Sequence, residues 1–178
     1  MPQLVRHADS PPGAIRAVSA RAARTAGGQL SLSYLLDGEL AALVVPAPGR
    51  SRIGWKLWRH TCCEAFLRVK GEEAYYEFNF SPSGEWAVYR FSRYREGATV
   101  DDAQLDPQIA LERKPERLEL FALVELSRLG ERYEQGPLAV GLSAVIEQAS
   151  GGHSYWALRH PAGRPDFHHA DAFALELA

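Results

Sequence analysis

Alternating apolar and polar residues mark three consecutive segments in the middle of the chain. These are Thr61–Val69, Ala74–Phe80 and Glu85–Phe91, and in each of them most alternate side chains are apolar. A period of two is typical of half-buried β-strands. The residues between the second and third segments read Ser-Pro-Ser-Gly, which is typical of a tight turn. The pattern therefore predicts three antiparallel strands joined by two short turns.

Weaker alternating segments follow on both sides of this central stretch. They are Leu4–His7, Gln29–Leu36, Leu40–Val45, Gln108–Glu112, Arg117–Ser127, Leu138–Glu147, Ser154–Arg159 and Ala172–Leu177. Residues 14–26 suit a helix by propensity and a strand by alternation. Asp37-Gly38 is a tight-turn signal, so Leu40–Val45 is expected to be the returning strand of a hairpin.

About ten short strands with turn signals between them, and little helix, predict an all-β protein. We expect a single domain over residues 1–178. Its predicted form is an antiparallel β-sandwich, either jelly-roll or immunoglobulin-like.

Loop lengths propose a register for the three central strands. Four-residue loops at 70–73 and 81–84 would pair Val69 with Ala74 and Phe80 with Glu85. One face of the sheet is then almost wholly apolar, which supports the register because a one-residue slip exchanges the two faces. The opposite face carries three mixed rows of side chains: Glu64–Asn79–Trp86, Phe66–Glu77–Val88 and Arg68–Tyr75–Arg90.

Composition and charge argue against several classes of function. The chain has 178 residues, 46% of them hydrophobic, and a net charge of −2, so it lacks the basic excess that tracks nucleic acid. No segment approaches the roughly 18 consecutive apolar residues of a membrane span, and the first residues do not resemble a signal peptide. We therefore expect a cytoplasmic protein without a membrane partner. Cys62 and Cys63 are adjacent, which disfavours a disulfide between them.

Several segments resemble a bacterial family of DOMON-like proteins related to type 9 carbohydrate-binding modules. The resemblance rests on five stretches that together cover most of the chain: WRHTCCEAFL at 58–67, YEFNFSPSGEW at 76–86, GLSAVIE at 141–147, SYWAL at 154–158 and PDFHHADAF at 165–173. It implies a β-sandwich. Type 9 modules hold the ends of sugar chains between aromatic rings, and other DOMON relatives bind haem or sugars.

The mixed sheet face carries the residue types that sugar recognition requires. A flat ring packs against the apolar side of a pyranose, while carboxylates, amides and guanidinium groups bind its hydroxyls. We therefore predict a non-catalytic domain that binds a carbohydrate or a similar polyhydroxylated small molecule on this face. The candidate ligand-binding residues are Trp58, His60, Glu64, Tyr75, Glu77, Asn79, Trp86, Arg90 and Trp156.

The sequence is compatible with two alternatives to the sugar hypothesis. The mixed face could simply pack beneath another layer, a protein partner or a second copy of the chain, and a homo-oligomer would cover exposed strand edges. A small hydrolase is the other alternative, because Glu64 and Glu77 form a carboxylate pair of the kind that glycosidases use. The sequence contains no nucleophile elbow, phosphate loop or zinc-protease helix, so we expect no enzyme.

No cofactor and no metal site is expected. His160, His168, His169 and Asp171 lie near one another in the chain, but adjacent histidines point apart on an extended backbone and the spacing fits no regular ligand set. A structural calcium ion on Asp101, Asp102 and Asp106 is an option. A haem site with methionine and histidine ligands is disfavoured because Met1 is the sole methionine.

Overall fold

The computed structural model describes all residues from 1 to 178 and consists of two packed β-sheets, as predicted. The strands are β1 (Val5–Arg6), β2 (Ile15–Arg24), β3 (Gln29–Gly38), β4 (Arg52–Ile53), β5 (Cys62–Val69), β6 (Tyr75–Phe80), β7 (Glu85–Arg93), β8 (Glu96–Thr99), β9 (Gln108–Lys114), β10 (Arg117–Glu125), β11 (Leu138–Glu147), β12 (His153–Ala157) and β13 (Leu175–Leu177).

Helical structure is confined to short pieces. One α-helix, α1, spans Glu131–Gln135. The 3-10 turns are Leu40–Ala42, Leu57–Arg59, Ala103–Leu105, Leu126–Leu129 and Ala170–Ala172. No helix is both long and apolar enough to span a membrane.

The larger sheet has the strand order β1-β12-β11-β5-β6-β7-β4, with β13 beside β11 and β8 beside β7. The smaller sheet has the order β2-β3-β10-β9. All pairings are antiparallel except the two-residue pairing of β4 with β7. The all-β sandwich predicted from the alternation is confirmed.

The hydrophobic core fills the space between the sheets. Large side chains from both sheets meet there, including Leu32, Tyr34 and Leu120 from the small sheet and Leu67 and Phe78 from the large one, and each is at most 1% exposed. Because side chains alternate along a strand, every second side chain of the large sheet points away from the core. We call that second surface the outer face.

The predicted hairpin at Asp37-Gly38 is wrong. Strand β3 continues through Gly38 and pairs with β2 on one edge and β10 on the other, so no edge is left for a returning strand. The chain instead forms the 3-10 turn Leu40–Ala42, which buries Leu40. Residues 14–26, which suited helix or strand equally, form β2 because tertiary pairing overrides helix propensity.

The register of the second central hairpin also differs from the prediction. The register of β5 and β6 is as expected, with Leu67 opposite Tyr76. In the next hairpin, however, the Ser81 amide donates to the Glu85 carbonyl, so the loop contains three residues rather than four. Gly84 has a φ of +87°, which a three-residue loop ending in a bulge requires. Phe80 therefore pairs with Trp86, and β7 is shifted by one residue.

Candidate functional site

A cleft with a volume of about 820 Å³ lies on the outer face of the large sheet. Its floor is formed by β5, β6, β7, β11 and β12, and its walls by the segments 58–60 and 165–168. Six aromatic side chains line it: Trp58, Phe66, Tyr89, Phe91, Tyr155 and Phe167. We refer to this cavity as the cleft.

A polar network forms the deepest part of the floor. The Asn79 Nδ2 donates to Glu77 Oε1 at 2.7 Å, and the Ser143 hydroxyl donates to Glu64 Oε2 at 3.2 Å. The Cys62 Sγ lies 3.5 Å from Glu64 Oε1 and 3.7 Å from Asn79 Oδ1, so it joins the two halves. Strand pairing explains this arrangement, because Ser143, Glu64 and Asn79 stand opposite one another on three neighbouring strands.

Both carboxyl groups of the floor are buried and close to each other. Glu64 is 3% exposed and Glu77 is 6% exposed. Burial raises the pKa of both side chains, and the nearby charge of Glu77 raises the pKa of Glu64 further. The pair therefore retains protons near neutral pH and can donate as well as accept hydrogen bonds.

A second polar group closes one end of the cleft. The backbone amide of Arg95 donates to the Tyr75 hydroxyl at 3.2 Å, and that hydroxyl lies 2.9 Å from His168 Nδ1. While its oxygen accepts from Arg95, the hydroxyl keeps its own proton for donation, and donation to Nδ1 corresponds to the tautomer with the ring proton on Nε2. His168 Nε2 then points towards Glu77 Oε2 at 3.6 Å.

The contact between His168 and Glu77 is not an ion pair at neutral pH, although its distance would suit one. Burial and the positive charge of Arg95 lower the pKa of His168 to about 4, so the imidazole is neutral. The Arg95 guanidinium binds Asp166 at 2.8 Å and the Tyr94 hydroxyl at 3.3 Å. The positive charge of Arg95 is thus largely neutralised by Asp166, away from the floor of the cleft.

The opposite rim is more exposed. The Trp58 ring is 43% exposed, and the Arg59 guanidinium carbon lies 5.3 Å from its centroid. His60 Nδ1 lies 2.8 Å from Glu147 Oε2, and His153 Nε2 donates to the Arg59 carbonyl at 2.8 Å. This rim offers a ring surface and several polar groups to an entering molecule.

Four of the predicted site residues line the cleft, namely Trp58, His60, Glu64 and Glu77. Two more support it from the same face. Asn79 is fully buried and orients Glu77, while Tyr75 stacks on Phe91 with ring centroids 4.7 Å apart and holds His168.

The predicted positions of Trp86 and Arg90 on this face are wrong. The one-residue shift in β7 turns Trp86 into the core between the sheets, where it is 1% exposed. Arg90 points to the same side as Trp86, and its guanidinium carbon lies 5.8 Å from the Tyr76 ring centroid. Their places on the outer face are taken by Ala87, Tyr89 and Phe91.

Trp156 is also a core residue and does not reach the cleft. It is 6% exposed, and its Nε1 donates to the Ser154 hydroxyl at 3.0 Å. Strand alternation turns its neighbour Tyr155 to the outer face instead.

Several cleft residues were missed from sequence. Tyr89 and Phe91 follow directly from a three-residue turn ending in Gly84, so that signal was available. Phe167, His168 and Arg95 come from irregular segments that carry no periodicity, and only folding brings them to β6. The structure contains no group of three or more His, Cys, Asp or Glu side chains that could hold a metal ion.

Comparison with known proteins finds likeness in structure alone. No family model matches the sequence, and no curated protein matches it. A protein from Bacteroides uniformis, named as a candidate carbohydrate-binding protein, superimposes with a TM-score of 0.65 and 18% identity, covering 98% of this chain and 84% of that one. A family 9 carbohydrate-binding module from Caldicellulosiruptor kristjanssonii, in complex with glucose, gives a TM-score of 0.50 and 10% identity, covering 98% and 83%. At these identities the likeness establishes the fold.

Proposed function

We propose that this protein is a non-catalytic binding domain whose cleft holds a carbohydrate or a similar polyhydroxylated small molecule. One observation carries the proposal: aromatic rings from several elements surround a buried floor of hydrogen-bonding groups. The two neighbours that share the fold are named for carbohydrate binding, and one of them contains glucose, which favours the same ligand class here. A relation to DOMON-like proteins and a cytoplasmic location belong to the same proposal.

The chemistry of the cleft suits a small polar ligand with apolar ring faces. Its volume of about 820 Å³ lies in the range of roughly 300–1,000 Å³ that is usual for small-molecule sites. Trp58 and Tyr155 supply ring surfaces near the rim, while Glu64 and Glu77 supply donors and acceptors below. A sugar ring uses both kinds of contact at once.

The direct test compares two exposed tryptophans of the same segment. Trp58 lines the cleft, whereas Trp55 is 69% exposed and lies outside it. Glucose, galactose, xylose and their β-linked disaccharides would be titrated by calorimetry into the wild-type protein, Trp58→Ala and Trp55→Ala. We expect at least one sugar to bind, Trp58→Ala to weaken it by about tenfold through loss of the ring contact, and Trp55→Ala to leave it unchanged.

Circular dichroism would confirm that both variants are folded. The proposal fails if no sugar in the panel binds the folded wild-type protein. It also fails if the two tryptophan variants weaken binding equally, since binding would then occur outside the cleft.

A further inference from the structure

Neither buried acid of the cleft forms a salt bridge with a lysine or an arginine, although the charge of Arg95 acts on Glu77 from a greater distance. No lysine or arginine nitrogen lies within 4.0 Å of a carboxylate oxygen of Glu64 or Glu77. Hydrogen bonds to these oxygens come only from neutral groups, those of Cys62, Asn79 and Ser143. Buried carboxylates are normally paired with a positive charge, because an unpaired one loses its hydration without compensation.

The positive side chains of the cleft stay at its mouth. Arg59 lies over Trp58, and Arg95 binds Asp166. Both arginines are exposed residues, and both acids are buried. Neither arginine compensates the two acids at the floor, so the floor can accept a cation that enters from outside.

Aromatic rings flank the acid at the floor. Phe66 of β5 and Tyr89 of β7 stand directly opposite Glu77 on its two sides, and both line the cleft. Ring faces attract ammonium groups, most strongly where water is excluded. Carboxyl groups and rings together form the surroundings that favour an ammonium over a neutral hydroxyl.

We propose that the floor of the cleft accepts a protonated amine, so that the preferred ligand is an amino-substituted polyhydroxylated molecule such as an amino sugar. The inference rests on the proposed carbohydrate function and assigns the chemical class within it. The amine occupies the space beside Glu64 and Glu77, and the rest of the ring packs against the aromatic walls.

Binding of a cation is expected to release a proton from the acid pair. The titratable groups around the pair are Cys62, Tyr75, Tyr89, Arg95 and His168 on the outer face, with Tyr34 behind the Glu64 backbone on the core side. Burial raises the pKa of the thiol and the three phenols and lowers that of His168, so these groups are uncharged at neutral pH, while Arg95 remains charged throughout. Glu64 and Glu77 are left as the groups that can give up a proton when an ammonium arrives.

The experiment uses, at pH 7, a set of sugar probes that differ in the position of one amine. Glucose is compared by calorimetry with the glucose derivatives that carry a single amine at carbon 2, 3 or 6, and with n-butylammonium as an amine without a sugar. At least one amino derivative is expected to bind about tenfold or more tightly than glucose, which is the usual gain from a charged hydrogen bond. Measurement in two buffers of different ionisation enthalpy should show proton release on binding of that derivative and none with glucose.

Two variants make the test specific. In Glu64→Gln/Glu77→Gln the preference for the amine over glucose and the release of a proton should both disappear. In Glu176→Gln, an exposed glutamate of β13, the preference should be unchanged.

Each result decides between the two proposals. If glucose binds and none of the three amino derivatives binds more tightly, the amine site is wrong and the carbohydrate function stands. If n-butylammonium binds through the two glutamates and no sugar binds, the amine site stands and the carbohydrate function is wrong. If none of the probes binds the folded protein, both proposals are overturned.

Discussion

The Asn79 side chain donates a 2.7 Å hydrogen bond to Glu77, two residues before it on the same strand. Both side chains point to the outer face, because residues two apart on a strand share a side. Asn79 is fully buried, and its carbonyl oxygen lies 3.7 Å from Cys62 Sγ. This amide thereby fixes the orientation of the acid that faces the cleft.

Replacing Asn79 by Asp should destabilise the protein in a pH-dependent way. The new carboxyl group would face Glu77 Oε1 in place of a donor, so two acids would compete for one proton. We expect a loss of about 2 kcal/mol at pH 8, where a buried donor is missing and charges repel, and a smaller loss at pH 5. Urea unfolding at the two pH values measures the difference. Gln108→Glu, on the exposed start of β9, serves as control and should show no such dependence.

The stability of the wild-type protein should fall between pH 6.5 and pH 8. Burial raises the pKa of Glu64 to about 8 and that of Glu77 to about 7, from 4.5. The folded state therefore holds protons that the unfolded state has already lost, and stability decreases as the pH rises through the raised values. The expected loss over this interval is about 2 kcal/mol.

His168 acts in the opposite direction but at lower pH. Its pKa falls from 6.5 to about 4 on folding, so the stability that it contributes increases with pH and is complete above 6.5. At pH 6.5 an unfolded histidine is still half protonated, so comparison with a variant that lacks the two acids is needed to isolate their contribution. The free energy of unfolding of Glu64→Gln/Glu77→Gln should fall less over this interval than that of the wild type. An equal dependence on pH in both proteins would contradict the assignment.

Removing the Tyr75 hydroxyl should free the ring of His168. Tyr75→Phe keeps the stacking on Phe91 but deletes the partner of His168 Nδ1 and of the Arg95 amide. We expect a loss of about 1–2 kcal/mol in urea unfolding. Nitrogen chemical shifts of His168 should move from a single tautomer to a mixture. Tyr155→Phe, which alters a ring of the same cleft on β12, should leave those shifts unchanged.

The two core tryptophans should respond differently to replacement by phenylalanine. Trp86 Nε1 is buried without a hydrogen-bond partner in the chain, so Trp86→Phe removes an unpaired donor along with some volume. Trp156→Phe instead breaks the bond to Ser154, which is 4% exposed, and leaves that hydroxyl unpaired. We expect Trp156→Phe to cost about 1 kcal/mol more in thermal or urea unfolding. Neither variant should alter ligand affinity, and a loss of affinity in Trp86→Phe would contradict its placement in the core.

Periodicity predicted the strands and loop length predicted the faces, with unequal success. The alternation in Cys62–Val69, Tyr75–Phe80 and Leu138–Glu147 placed these strands almost to the residue, because it repeats over many positions. The length of the turn before Glu85 determines which side chains of β7 point to which face of the sheet. The predicted loop was one residue too long, and this error placed Trp86 and Arg90 on the wrong side of the sheet.

The sequence by itself determined the sandwich and the acidic floor of the cleft. The pairing of Glu64 with Asn79 follows from local alternation and one hairpin, and both are properties of contiguous residues. Only the tertiary structure decided what surrounds that floor. Ser143 on β11, Tyr155 on β12 and the irregular segment with Phe167 and His168 reach it across about 80 to 100 residues of chain, through sheet order and loop packing that no local pattern encodes. Strand pairing between distant segments is selected by the burial of the whole core, so the pairing of Glu64 with Asn79 follows from the sequence, while the rest of the floor and the walls of the cleft follow from the fold.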